Sequence, residues 1–369
     1  MTVPSQCSTP AANASVSVGR LSIGGVASRS PTPARNPFQL VDLQARSVHY
    51  LRVSVTDRCN YRCSYCMPAE GVDVVPREDL LTFAEIEQLV RSFVALGIRK
   101  VRLTGGEPLV RRGIVELVAR IARIEGVQDL AMTTNGHLLA DLAKPLHDAG
   151  LHRLNVSMDT LDEQAFAHVT RQGSLTAVLA GLEAARNAGF THTKINAVVL
   201  RGHNLGELSR LCDFAAAHGY ILRLIEYMPI GVDQHWGADT FVASAEVREE
   251  LARDWDLQPD PGHGHPGGGP AVYWTGRRRT GGPDVRLGFI SAVSEKFCRL
   301  CNRVRLSPTG TLRECLSTGG VLSLRDMIRG GRSEAEVQDA IRLALLGKVE
   351  GHRFDGAVQT WEPMSAIGG

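Results

Sequence analysis

Between residues 50 and 228 the chain alternates two patterns of apolar positions. Short runs rich in Val, Ile, Leu and Thr fall at 51–56, 100–103, 129–134, 153–158, 194–199 and 223–228, and each predicts a strand. Between them, at 83–96, 114–124, 138–149, 175–188 and 205–218, apolar residues recur every three or four positions, which predicts amphipathic helices. Three of these stretches close on Leu96-Gly97, Ala149-Gly150 and Ala188-Gly189, where a glycine just past the last periodic residue ends the helix. Strand and helix in alternation, with short connections, predict an α/β fold built on a parallel sheet. Six such units suit an incomplete, TIM-like (β/α)6 barrel better than a closed barrel of eight. In either, functional side chains collect at the carboxyl ends of the strands.

The pattern stops on both sides. Residues 1–45 are rich in Ser, Ala, Pro, Thr and Arg and carry no acidic residue before Asp42. That composition does not bury enough surface to fold alone, so a disordered N-terminal extension is expected, with an organelle transit peptide as the alternative. Residues 46–230 hold the partial barrel and 231–369 form a C-terminal region. Within the latter, 259–283 is dense in Gly and Pro and reads as a surface loop, in which His263 and His265 are most simply solvated. A single closing helix is expected over 334–346, and the chain ends in Gly368-Gly369.

Composition narrows the field. Of 369 residues 43% are hydrophobic and 22% charged, ample for a core, and a net charge of +2 argues against a nucleic-acid binder or a polybasic membrane surface. No apolar run reaches the roughly 18 residues of a membrane span, and no leading charged-then-apolar segment marks secretion. Eight cysteines are too sparse for a disulfide scaffold. A reducing, cytoplasmic compartment is therefore expected.

Six of the cysteines form two groups, Cys59/Cys63/Cys66 and Cys298/Cys301/Cys315. Cys7 falls in the extension, and Cys212 sits in a helical pattern where a buried thiol is the simpler reading. A structural zinc or a 4Fe–4S cluster normally takes four ligands, so three in one short loop leave a position open for substrate. Zinc completed by a ligand from elsewhere is the alternative for the second group. Gly105-Gly106-Glu107-Pro108 follows the second strand, where glycines let backbone approach a polar ligand closely. Thr133-Thr134-Asn135-Gly136 and Asn155–Asp159 put short polar groups at the ends of the third and fourth. Arg303 and Arg305 lie on one side of an extended segment beside the second group, with Arg313 beyond, which suits phosphate recognition. Ordinary turn residues and idle surface arginines are the bland readings of these last features.

The Cys59-x3-Cys63-x2-Cys66 loop resembles the signature of the radical S-adenosylmethionine superfamily. With the strand-end motifs, the second cysteine group and the terminal glycines, residues 46–369 are similar to the GTP 3′,8-cyclase family, with no departure at any ligand position. The resemblance implies two 4Fe–4S clusters, one held by Cys59, Cys63 and Cys66 and the other by Cys298, Cys301 and Cys315. It implies S-adenosylmethionine contacts from Tyr65, Gly106, Ser157 and Met228. GTP contacts are implied for Arg52, Arg102, Thr133, Lys194, Arg303, Val304 and Arg305. Catalytic roles are implied for Arg303 and Arg305 and for the tail, Gly368-Gly369. The implied reaction is radical cyclisation of GTP to 3′,8-cyclo-7,8-dihydro-GTP, the first step toward molybdopterin. An electron donor and cyclic pyranopterin monophosphate synthase downstream are the implied partners, and a homodimer is left open. The rivals are a peptide-maturing or sulfur-inserting member of the superfamily and a zinc-binding interaction protein.

Overall fold

The computed structural model describes residues 39–231, 236–260, 269–352, 354 and 362–367. A short antiparallel pair opens it, β1 (Leu40–Val41) with β2 (Ser47–Val48). The six strands β3 (Tyr50–Ser54), β4 (Lys100–Thr104), β5 (Asp129–Thr134), β6 (Arg153–Ser157), β7 (Lys194–Val199) and β8 (Ile221–Glu226) pair side by side in chain order, all parallel. Helices α1 (Phe83–Ala95), α2 (Ile114–Ala122), α3 (Leu139–Asp148), α4 (Glu163–Thr170), α5 (Leu175–Asn187) and α6 (Leu208–His218) connect them. Of these α4 was not expected from the sequence, although Asp162 caps it and Phe166, Val169 and Thr170 give it a buried face.

The C-terminal region extends the same sheet at both ends. Beyond α7 (Ser244–Leu251), the strands β9 (Trp255–Pro259), β10 (Val272–Arg278) and β11 (Val285–Ile290) form a meander whose last strand pairs parallel to β8. Strands β12 (Arg303–Leu306), β13 (Thr311–Arg313) and β14 (Leu322–Ser323) follow, and β12 pairs parallel to β3. The full order is β14-β13-β12-β3-β4-β5-β6-β7-β8-β11-β10-β9, so eight neighbouring strands run parallel and the outermost pairs do not meet. Helices α8 (Leu324–Arg329), α9 (Glu334–Leu346) and the short α10 (Met364–Ile367) complete the described chain.

Two expectations need correction. The Gly/Pro-rich stretch 259–283 is not all loop, because β10 runs through it with Tyr273 buried and Gly276 seated against Val285, Leu257 and Trp255. Residues 261–268, with His263 and His265, lie outside the described residues, as does Cys7. Likewise residues 39–45 are structured: Leu40 and Asp42 are buried, and Leu40 joins the main core. A single apolar anchor and a buried ion pair outweigh the local composition.

Alternation along each strand separates two environments. In β3, Leu51 and Val53 enter a core shared with Ile86, Leu89, Val90 and Phe93 of α1, whereas Tyr50 and Arg52 face the other way into a cavity. Thr82 and Glu85 form a reciprocal capping box that starts α1, and Ser333 with Glu336 does the same for α9.

Candidate functional site

One cavity of about 320 Å³ is lined by side chains from all eight parallel strands. Laid flat, eight strands would span about 34 Å, so the sheet curves around the space it encloses. Both cysteine groups face it, and so do Arg52, Arg102, Arg223, Arg303 and Arg305.

The cations are set by strand register. Arg305, Arg52 and Arg102 are aligned partners on β12, β3 and β4. Burial, then Arg305, hold the Arg52 guanidinium well below its usual range. Burial followed by Arg303 brings Arg305 down to about 10, and burial followed by Arg102 does the same to Arg223. Arg223, which sequence reasoning missed, is fixed by bonds of 2.9 Å to Asn196 Oδ1 and 2.7 Å to Asn155 Oδ1. Its signal was available: it is a cation set between Leu222 and Leu224 in a strand that carries only one other charge, Glu226. The Arg102 guanidinium lies 5.4 Å from the Tyr50 ring centroid, and its buried Nε has no hydrogen-bond partner among the described residues. The Thr133 hydroxyl is equally unpartnered there. Such buried groups carry a desolvation penalty that a polar, anionic ligand would relieve.

The first cysteine loop rests on the Gly105-Gly106 turn. Gly106 N donates to Thr56 O and Glu107 N to Arg58 O, each at 2.8 Å. A Cβ on Gly105 would stand 2.5 Å from Thr56 O, and one on Gly106 would overlap the Arg58 carbonyl. The glycines therefore admit the chain leading into Cys59, a close approach of backbone to backbone. Glu107 is buried and accepts from Thr134 Oγ1 (2.7 Å), Asn135 N (2.6 Å) and Leu109 N (3.0 Å). Burial still pushes its carboxyl up to about 7, with those donors pulling the other way. Tyr65 donates to Asp159 Oδ2 at 2.8 Å, while Val198 N donates to Asp159 Oδ1 at 2.8 Å. Burial lifts that carboxyl to about 6.

The two thiol groups differ in electrostatics. Burial pushes Cys59 up to about 11 and Cys66 to about 12, and raises Cys63 well above the usual thiol range. At Cys301 burial acts in the same sense, but Arg303 and Lys348 outweigh it and bring the thiol down to about 7. All six are free and partly buried, the donor chemistry a thiolate-bound cluster requires. Among the described residues no three His, Cys, Asp or Glu side chains converge on one metal ion, as a mononuclear zinc would need. Thiols that each bind a different iron of a cluster need not converge, so the donor sets fit clusters.

Other expected residues fall as follows. Tyr65, Gly106, Thr133, Ser157 and Met228 line the cavity with the arginines. Lys194 is buried at 2% exposure but is not a lining residue; it shares its face of β7 with Asn196 and Val198, which are. Burial, then Arg223, Arg153 and Arg102, depress its amine to about 6. The Val304 side chain points away into the core, and Val304 is not among the residues lining the cavity. Gly368 and Gly369 lie outside the described residues. The segment just before them does reach the site: Met364 and Ser365 line the cavity, Ile367 packs with Ile230 and Phe354, and Glu362 pairs with buried Arg313.

Residues 53–215 match the family described as the Radical SAM superfamily, and residues 220–354 match the Molybdenum Cofactor Synthesis C family. A GTP 3′,8-cyclase of Pseudomonas entomophila (strain L48) is 46% identical over 339 residues, covering 91% of this chain and 99% of the relative. That of Pseudomonas fluorescens (strain Pf0-1) is 45% identical over 334 residues, covering 89% and 98%. Among solved structures, Streptococcus suis SuiB bound to precursor peptide SuiA aligns with a TM-score of 0.55 at 13% identity, over 86% of this chain and 76% of that one. That likeness concerns the fold alone.

Proposed function

The chain belongs to the GTP 3′,8-cyclase family of the radical S-adenosylmethionine superfamily, and from that premise we propose that its cavity holds S-adenosylmethionine against the first cysteine group and GTP between the two. The reaction is conversion of GTP to 3′,8-cyclo-7,8-dihydro-GTP, the first step of molybdenum cofactor biosynthesis. Cys59, Cys63 and Cys66 would hold one 4Fe–4S cluster and Cys298, Cys301 and Cys315 the other. With S-adenosylmethionine bound, the first would supply one-electron reductive chemistry, its electron coming from an external donor, for hydrogen removal from the GTP ribose.

The chain's own residues do the rest. The observation that carries the reading is the register row Arg305–Arg52–Arg102, facing the same cavity as both thiol groups. A triphosphate neutralises such a row, and the planar guanidinium forks match its oxygens. Arg303, Arg223 and Lys194 add charge nearby, and Thr133 offers a hydroxyl. Gly106, Ser157, Met228 and Tyr65 line the S-adenosylmethionine side, with the Tyr65 ring fixed by its bond to Asp159. The curved sheet shields the reacting groups and aims the ribose. Arg303 and Arg305 act next to the reacting base, and a catalytic role for Gly368-Gly369, outside the described residues, belongs to the same proposal.

No helix among the described residues is long and apolar enough to cross a membrane. Six ligating thiols suit a reducing, cytoplasmic setting with an electron donor, and the product passes to cyclic pyranopterin monophosphate synthase. An anaerobic assay with reductant, S-adenosylmethionine and GTP tests the reading. 5′-Deoxyadenosine should form only when GTP is present; equal formation without GTP, or with a peptide in its place, overturns it. Deleting Gly368 and Gly369 should abolish turnover with both clusters retained, and full activity would sink the tail's role.

A further inference from the structure

Outside the cavity, a buried cation holds the second cysteine loop from behind. Arg46 pairs with Asp42 at 2.6 Å, with side chains only 6% and 0% exposed. Its remaining guanidinium hydrogens go mostly to backbone carbonyls: Cys298 O and Glu350 O at 2.9 Å from Nη1, and Val349 O at 2.7 Å with Gln44 Oε1 at 3.0 Å from Nη2, Lys348 O standing farther off at 3.5 Å. Asp42 Oδ1 accepts from Gln44 N and Arg46 N, which locks the turn that presents the guanidinium. Lys348, itself 3% exposed, donates from Nζ to Arg303 O at 3.1 Å and to Glu314 O. Two cations thus grip the backbone at Cys298 itself, two residues after Cys301, and one residue before Cys315. The grips are adjacent in the chain, because Arg46 holds the Val349 carbonyl, one residue after Lys348.

We propose that Arg46 and Lys348 are positioning residues for the second cysteine triad: they set its three backbone anchors, and with them Arg303, relative to the cavity. The proposal rests on the reading of that triad as a cluster site. Neither residue faces the cavity, so each acts through the loop and not on substrate.

Two backgrounds separate the clusters. A full-length chain carrying Cys59→Ala, Cys63→Ala and Cys66→Ala retains only the second triad; one carrying Cys298→Ala, Cys301→Ala and Cys315→Ala retains only the first. Each is reconstituted anaerobically with ferrous iron and sulfide, and iron loss to a chelator is timed alongside its electron paramagnetic resonance spectrum. Arg46→Lys keeps the charge opposite Asp42 but loses the fork; Lys348→Gln keeps an amide donor but loses the charge and the reach to both carbonyls. Each should speed iron loss from the second triad about tenfold, the effect of one charge-assisted hydrogen bond, and alter that cluster's spectrum. The first triad should keep its parent rate. Parent rates at both triads, or equal acceleration at both, overturn the positioning role. A second triad that takes up zinc without sulfide, or no iron at all, overturns the cluster reading and the proposal with it.

Discussion

Arg52 is the middle member of an in-register row, with Arg305 and Arg102 on its two sides. Replacing it with methionine, similar in length and uncharged, should move two quantities in opposite directions. Neighbouring strands lie about 4.8 Å apart, and at an effective dielectric of about 20 two like charges at that distance repel by about 3.5 kcal/mol. Recovery of a fraction of this, about 1 kcal/mol, raises Tm by about 2 °C for a chain of this size. Triphosphate binding loses a charge-assisted contact of about 1.5–3 kcal/mol, a weakening of roughly ten- to a hundredfold in Kd. Calorimetric melting of the ligand-free chain reads the first quantity and anaerobic titration with GTP reads the second. A variant that melts several degrees lower and binds GTP as tightly as the parent would refute the reasoning, because the row would then be packing and not a phosphate cradle.

Gly106→Ala should displace the chain at Arg58 and prevent cluster assembly at Cys59, Cys63 and Cys66 while leaving the second triad loaded; iron per chain falling by half checks it, and unchanged iron counts against the close approach. Burial holds the Glu107 carboxyl at about 7 against an unperturbed 4.5, so the stability tied to its neutral form is complete below 4.5 and is lost as pH rises through 7. Glu107→Gln should flatten that part of the melting profile, and a profile identical to the parent's would exclude Glu107 as its source. The Lys194 amine is depressed to about 6, so at pH 7 a triphosphate bound beside its neighbours Arg102 and Arg223 should draw a proton onto it. Titration in buffers of different ionisation heat should show GTP-linked proton uptake, absent in Lys194→Met; equal uptake in both chains contradicts the assignment.

The parallel-sheet half of the fold was legible because its apolar runs and helical periods are long. The strands at 129–134 and 194–199 and the closing helix at 334–346 stand where the pattern puts them. Local signals were weaker beyond residue 228. Strand β10 hides in a stretch dense in glycine because its stability comes from two partner strands, not from its own composition. The N-terminal hairpin was misjudged for a related reason. Leu40 and Asp42 are held by the core and by Arg46, and no window of sequence shows those contacts. In the site, spacing identified all six thiols, but spacing has no depth. It could not show that Lys194 sits a layer below the cavity, that the Val304 side chain turns to the core, or that Lys348 supports the second loop. Arg223 opens the apolar run 223–228, where a cation is itself a signal.

The parallel pairing of β12 with β3 joins Arg303 to Tyr50. During synthesis these two partners leave the ribosome far apart in time. The first thiol group, Arg52 and Arg102 emerge early, on a sheet whose β3 edge has no neighbour to cover it. Long-range parallel pairing forms slowly, and an uncovered edge strand invites the wrong partner until the right one arrives. A cluster loaded at that stage would sit in half a chamber, open to oxygen. The order of events is therefore fixed by topology: the chain is finished, the last strands close on the first, and only then is there an enclosed place for iron.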